Sequence, residues 1–171
     1  MTVSERLLPE FEHEMANTRR VLERIPEDHL TWKPHEKSMP LGTLAMHCAT
    51  LPLFGAYILE DDSMDLADSK RAHADMTFKS RQNCLDEFDR NAARCRSLLA
   101  GADDDRLAAK WQFSYGPQVL SNESRSRTFR TVFFNHLVHH VAQLGVYLRL
   151  NDIPVPSLYG PSADEQWSPK K

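Results

Sequence analysis

Phe134-Asn135-His136-Leu137-Val138-His139-His140-Val141-Ala142-Gln143 is the stretch on which the reading of this chain turns. Together with its flanks it predicts a helix from about Arg127 to Leu150, ended by Asn151-Asp152 and Pro154. Phe133, Leu137, Leu144 and Leu148 recur at helical steps and form one apolar line. His140 falls on that line, and His136 lies one turn before it. Residues four apart on a helix are neighbours on one face, with β-carbons roughly 5–6 Å apart, so two imidazoles in His-x-x-x-His can converge on one metal ion. His139 is rotated about 100° from His140 and is the less suited ligand. The pair His136 and His139 is sterically feasible but fits the apolar face less well.

Three further segments share the helical periodicity. The first runs from about Ser4 to Arg24, with Leu7, Leu8, Phe11, Met15 and Leu22 on one face; Thr2 and Glu5 have capping-box spacing. The second is expected from about Met39 to Glu60, with Ser38 as N-cap, Pro40 in the first turn and Pro52 inside, where it would kink the helix. The third is expected from about Ser80 to Ala100, with Leu85, Phe88, Ala92, Cys95 and Leu99 on one side. About twenty mostly polar residues, Asp61 to Lys79, separate the second and third helices. A comparable stretch containing Gly116-Pro117 precedes the fourth. Within it, Lys110-Trp-Gln-Phe-Ser-Tyr-Gly allows a short hairpin. The expected fold is therefore a single all-α domain, 1–171: a four-helix bundle with long crossover connections.

His47 stands between Leu44 and Leu51 on the inward stripe of the second helix. Taken alone it reads more readily as a satisfied core residue than as a ligand. Facing a His-x-x-x-His pair, it supplies the third donor of a site built between helices. Three neutral imidazoles leave a divalent ion its full charge and an open position for water, a thiolate or a carbonyl oxygen. His13 is expected on the polar side of the first helix with Asn17 and Arg20, and His29, His35 and His73 in loops. Trp32, Trp111 and Trp167 fall in expected loops. Trp111 and Tyr115 either wall a pocket or pack over the end of the bundle, and packing is the simpler reading.

Composition excludes several classes. The chain has 171 residues, a net charge of -3 and 41% hydrophobic residues, with no clustered basic face for nucleic acid. No stretch approaches the roughly 20 apolar residues of a membrane span, and Met1-Thr2-Val3-Ser4-Glu5 lacks a signal-peptide pattern. Three cysteines, Cys48, Cys84 and Cys95, without Cys-x-x-Cys spacing imply reduced thiols and a cytoplasmic protein. A di-iron carboxylate site fails on ligand count, since the fourth helix has no Asp or Glu between Phe129 and Leu150. Cys48 adjoins His47 in sequence but diverges from it on the helix, which favours a buried structural thiol over a nucleophile.

Beyond these residue-level readings, the sequence resembles the DinB-like (YfiT-like) superfamily of metal-dependent enzymes. The match lies in Leu41-Gly-x-Leu-Ala45 before His47, Asn135-His136-x-x-His139-His140-x-x-Gln143, Tyr147-Leu148-Arg149, Leu30-Thr31-Trp32-Lys33-Pro34 and the tail Val155 to Glu165. The resemblance implies an up-down-down-up four-helix bundle, a metal site at His47, His136 and His140, nickel or zinc as the ion, and pairing into homodimers. It also implies a small-molecule substrate and thiol S-transferase or hydrolase chemistry, in which the metal activates a low-molecular-weight thiol or water. The competing expectation is a non-catalytic metal-binding or stress-response interaction protein. Where many members carry Arg-Gly, this chain has Val141-Ala142, which removes an anionic-substrate contact. Gln143 is retained, one turn past His140, as a candidate to orient a ligand or a bound water.

Overall fold

A computed structural model describes residues 1–68 and 75–166. His73, Trp167 and Lys170-Lys171 lie outside the described residues. The helix α1 (Val3–Leu22) starts on the expected capping box: the Thr2 hydroxyl accepts from the Glu5 N–H at 3.1 Å, and Thr2 N–H donates to the Glu5 carboxylate at 2.7 Å. The helix α3 (Arg81–Gly101) starts on Ser80, whose hydroxyl accepts from Asn83 N–H at 3.0 Å.

The helix α2 (Leu41–Glu60) departs from expectation at its start. It begins after Pro40, with no side-chain cap from Ser38. Its first donors are taken by main chain instead: Leu41 N–H donates to Trp32 O and Gly42 N–H to Leu30 O, each at 2.9 Å. A β-carbon on Gly42 would sit 3.2 Å from Leu30, so glycine lets that strand of backbone approach. The helix passes through Pro52 without ending. With a mean hydropathy of 1.3 over its most apolar 18 residues it has the length and composition of a membrane span, contrary to expectation, but 72% of that stretch is buried within the protein. It is the core helix.

The expected all-α architecture is corrected: the chain is mostly helical and carries a three-stranded mixed sheet. The long connections build it. β1 (Ser63–Asp65) runs parallel to β2 (Lys110–Tyr115), pairing Met64 with Phe113; β3 (Gln118–Ser124) runs antiparallel to β2. The hairpin turns at Gly116, whose φ of 54° suits glycine. Asp65 holds both ends together by accepting from Ala67 N–H at 2.9 Å and Gly116 N–H at 2.8 Å. The short helix α4 (Asp104–Ala108) leads into β2.

The expected fourth helix is three pieces: α5 (Arg125–Thr128), a π-helical turn (Phe129–Phe134) and α6 (Asn135–Leu150). Phe129, Phe133 and Phe134 are all buried, with ring centroids 4.9 to 5.2 Å apart. Bonding from i to i+5 turns Phe134 toward the same core as Phe129, which a regular α-helix would not do. The turn also lies tight against α2: a β-carbon at Gly55 would approach Phe133 to 2.8 Å and Cys95 Sγ to 2.9 Å.

In the long-helix packing, α3 lies against α1 and α2, and α6 against α2 and α1. The tail Val155 to Glu165 closes over α1. Glu165 pairs with Arg24 at 2.8 Å and with Arg20, and accepts from Ser157 N–H at 3.0 Å. Asp164 pairs with Arg149 and accepts from Val155 N–H at 2.8 Å. Asn17, expected on the polar side of α1, is instead buried, and donates to exposed His13 at 3.1 Å.

Candidate metal centre

The structure brings the three expected histidines together. His47 projects from the second turn of α2, and His136 and His140 from the first turns of α6, immediately after the π turn. Their ring centroids form a near-equilateral triangle: 5.0 Å between His47 and His136, 4.6 Å between His47 and His140, and 4.7 Å between His136 and His140. One ligand nitrogen from each lies within 4.8 Å of the other two, and all three residues are half-buried. His139 is exposed; its ring stacks edge-on to His140 at 4.9 Å but does not join the cluster.

The outer nitrogen of one ring is engaged. His140 Nδ1 lies 2.7 Å from Gln143 Oε1. An amide oxygen only accepts, so Nδ1 carries the proton and Nε2 keeps its lone pair for the centre of the triangle. The main-chain carbonyl of Val132, in the π turn, favours the protonated form of His136. A contact like that at His140 fixes the tautomer and orientation of a ligating imidazole. Gln143 thus contacts His140 directly.

Electrostatics keep the cluster neutral. Burial, then the charges His140 and His136 would carry, pulls the His47 pKa down from 6.5 to about 4. Burial likewise lowers His136 and His140, with neighbouring histidines adding to the effect; the Gln143 bond opposes it at His140. Neutral imidazole is the form that binds metal. His47 Nε2 and His136 Nε2 stand 3.2 Å apart. Two nitrogens each about 2.0–2.1 Å from a tetrahedral ion would be separated by roughly 3.3 Å. The donor set fits a divalent ion of borderline softness, and among the described residues no fourth His, Cys, Asp or Glu joins it.

Beside the histidines opens a cavity of about 240 Å³, lined on one side by His47 and His136. Leu51, Phe54, Tyr57, Met64, Phe113 and Val132 form much of its wall. Phe54 meets Phe113 edge-on at 5.6 Å. The sheet thus supplies part of this wall, through Met64 on β1 and Phe113 on β2. Sequence reading missed this; the alternation of Trp111, Phe113 and Tyr115 was the available signal. Trp111 is fully buried and packs in the core, as the simpler reading held, whereas Tyr115 is exposed and neither residue lines the cavity.

All three cysteines are buried and free. Burial raises each thiol pKa, that of Cys84 to about 12, and keeps Cys48 in the unreactive thiol form.

Residues 10–144 match the family model of the DinB superfamily, and the chain belongs to that family. Among solved structures it is similar to the DinB-like protein YjoA of Bacillus subtilis, with 20% identity, a TM-score of 0.67 and coverage of 95% of this chain and 99% of that one. A DinB-like protein of Bacillus cereus ATCC 10987 aligns at 18% identity and a TM-score of 0.66, covering 91% and 97%. No curated protein matches. At these identities the structural likeness speaks for the fold alone.

Proposed function

We propose that this protein is a divalent-metal-dependent enzyme acting on a small electrophile, by thiol S-transfer or hydrolysis. The observation that carries the reading is the triangle of half-buried neutral imidazoles beside a cavity. His47, His136 and His140 would hold the ion, nickel or zinc, with Gln143 orienting the His140 ring. Bound there, the ion supplies a Lewis acid that lowers the pKa of a thiol or water and polarises the electrophile. The protein's own contribution is to keep the imidazoles deprotonated, to leave one side of the triangle open, and to screen the adjoining space from water with aromatic walls. Three ligands, with no fourth among the described residues, favour catalysis over a closed structural site. The up-down-down-up bundle order and pairing into homodimers belong to the same reading, through the family. Free thiols at Cys48, Cys84 and Cys95 support a reducing compartment, the cytoplasm.

Protein purified without a histidine tag and assayed by plasma mass spectrometry should hold about one nickel or zinc per chain, absent from His47→Ala and His140→Ala. Loaded protein should then turn over a thiol with an electrophile such as chlorodinitrobenzene. Metal-free wild-type protein that stays metal-free on reconstitution would overturn the reading, whereas metal without turnover across a panel of thiols and esters would favour the non-catalytic alternative.

A further inference from the structure

We propose that a cleft beside the first turns of α1 binds a phosphate group, free or carried on a small molecule, through Arg6, Arg127 and Arg130. The cleft measures about 400 Å³. On one side α1 supplies Val3, Arg6 and Leu7; on the other the run from α5 into the π turn supplies Ser126, Arg127 and Arg130. It shares no lining residue with the cavity beside the histidines, so it stands apart from the metal reading. Helical spacing explains the convergence. Val3, Arg6 and Leu7 fall at i, i+3 and i+4 on one face, and Arg127 and Arg130 are three apart on the facing segment.

Three guanidiniums are thus gathered in a chain whose net charge is -3, and their counter-charges do not match them. Arg130 is the one held tightly, donating to the two carboxylate oxygens of Glu10 at 2.8 and 2.6 Å. That fork uses two of its five N–H donors. The carboxylate nearest Arg127, that of Glu123, stands 4.0 Å away, beyond hydrogen-bond distance. Among the described residues Arg6 pairs with no carboxylate. Other acids close by are engaged elsewhere: Glu5 accepts from Thr2 N–H at 2.7 Å, and Asp104 from Val3 N–H at 2.8 Å. The Asp104 bond also takes up a donor at the start of α1, so recognition in the cleft falls to the side chains. Arg6 and Arg127 line it with their donors unused.

The donor geometry selects the ligand. A guanidinium fork matches a pair of oxygens on a carboxylate or a phosphate. A carboxylate offers one such edge and a single charge. A phosphate monoester offers three acceptor oxygens and about -1.5 to -2 charges near pH 7. It can therefore meet Arg6 and Arg127 on separate edges while the remaining donors of Arg130 reach the third oxygen. Leu7 is buried and Val3 half-buried, so the lining also has apolar surface for the organic part of an ester.

The test titrates full-length protein with phenyl phosphate, inorganic phosphate, pyrophosphate and acetate by calorimetry, before and after the metal is stripped. Phenyl phosphate and pyrophosphate should saturate one site per chain at least about tenfold more tightly than acetate. That site should persist, within about twofold, in metal-stripped protein. Arg6→Gln and Arg127→Gln should each weaken phenyl phosphate at least about fivefold, with melting showing a folded chain. Arg90→Gln removes the same charge from α3, where the side chain pairs with Glu87, and should leave affinity within about twofold. Phenyl phosphate tighter than inorganic phosphate assigns the site to an ester, and the reverse order to the free ion; either sustains the proposal. No saturation, no preference over acetate, loss of the site together with the metal, or equal weakening by Arg90→Gln would each overturn it. The comparison of anions on the unaltered chain needs no variant, so a misfolded arginine variant leaves it decisive.

Discussion

The helix α2 has two polar regions, and they are finished in opposite ways. At its C-terminal end the last carbonyls are spent on arginines: Arg125 donates to Ile58 O at 2.6 Å and to Asp61 O, and Arg106 to Leu59 O at 3.1 Å and Glu60 O at 2.6 Å. The Arg125 side chain is only 2% exposed, and its outer nitrogen reaches Asp62 at 2.9 Å. Two turns from the helix start, His47 joins two other imidazoles, whose inward nitrogens, among the described residues, have only one another. The first region is polar chemistry used up in holding the fold, where orphaned helix-end carbonyls meet permanent cations. The second is donor capacity kept in reserve, the mark of a place that receives something.

That contrast can be broken from either side. The largest stability effect belongs to the arginine end: Arg125→Met, which removes the buried guanidinium that donates to Ile58 O and Asp61 O, should cost about 3 kcal/mol by denaturant unfolding. Metal stoichiometry per folded chain should stay unchanged. Loss of metal from folded Arg125→Met would mean the two regions are coupled through α2.

Gln143→Leu comes next. It removes the acceptor that fixes the His140 tautomer at 2.7 Å and should weaken metal binding about 10- to 100-fold, read by competition with a chelating dye. Unfolding of the metal-free protein should barely change. Unaltered metal affinity would show that Gln143 is not orienting the ring.

Acidification acts on the histidines and leaves the arginines charged. The His47 pKa is about 4 when folded, below its ordinary 6.5, so the unfolded chain binds more protons between those values. Stability of the metal-free protein is therefore full above about pH 6.5 and falls as the pH drops toward 4, by about 2 kcal/mol after allowing for solvent screening. His47→Leu should flatten that slope. At pH 7.5 the same substitution should change metal-free stability by less than about 1 kcal/mol, the smallest effect of the set, because it trades a half-buried polar ring for an apolar side chain of similar size.

Much of the molecule was legible because its signals are local. The capping box at Thr2 and Glu5 lies within three residues, and so is readable from order alone. His136 and His140 share a face by helical geometry, and the Phe/Leu line that flanks them points that face inward. Where the reading failed, the partner was distant. Ser38 lost its capping role because Leu30 and Trp32 fold back onto the start of α2. Asn17 looked like a surface residue until the fold buried it. β1 is three residues long and becomes a strand only by pairing with Gln112 to Ser114. The π turn reflects three rings competing for one core, which no helical periodicity records.

By itself, then, the sequence determined the helices, the inward histidine faces on α2 and α6, and the donor chemistry of the centre, since these follow from periods of a few residues and from side-chain type. Only the tertiary structure decided that the three imidazoles meet, that the long connections form a sheet, and that Phe113 and Met64 from that sheet wall a cavity against His47. Those outcomes depend on contacts between segments tens of residues apart, formed when the chain buries its apolar surface, and spacing along the chain carries no measure of them.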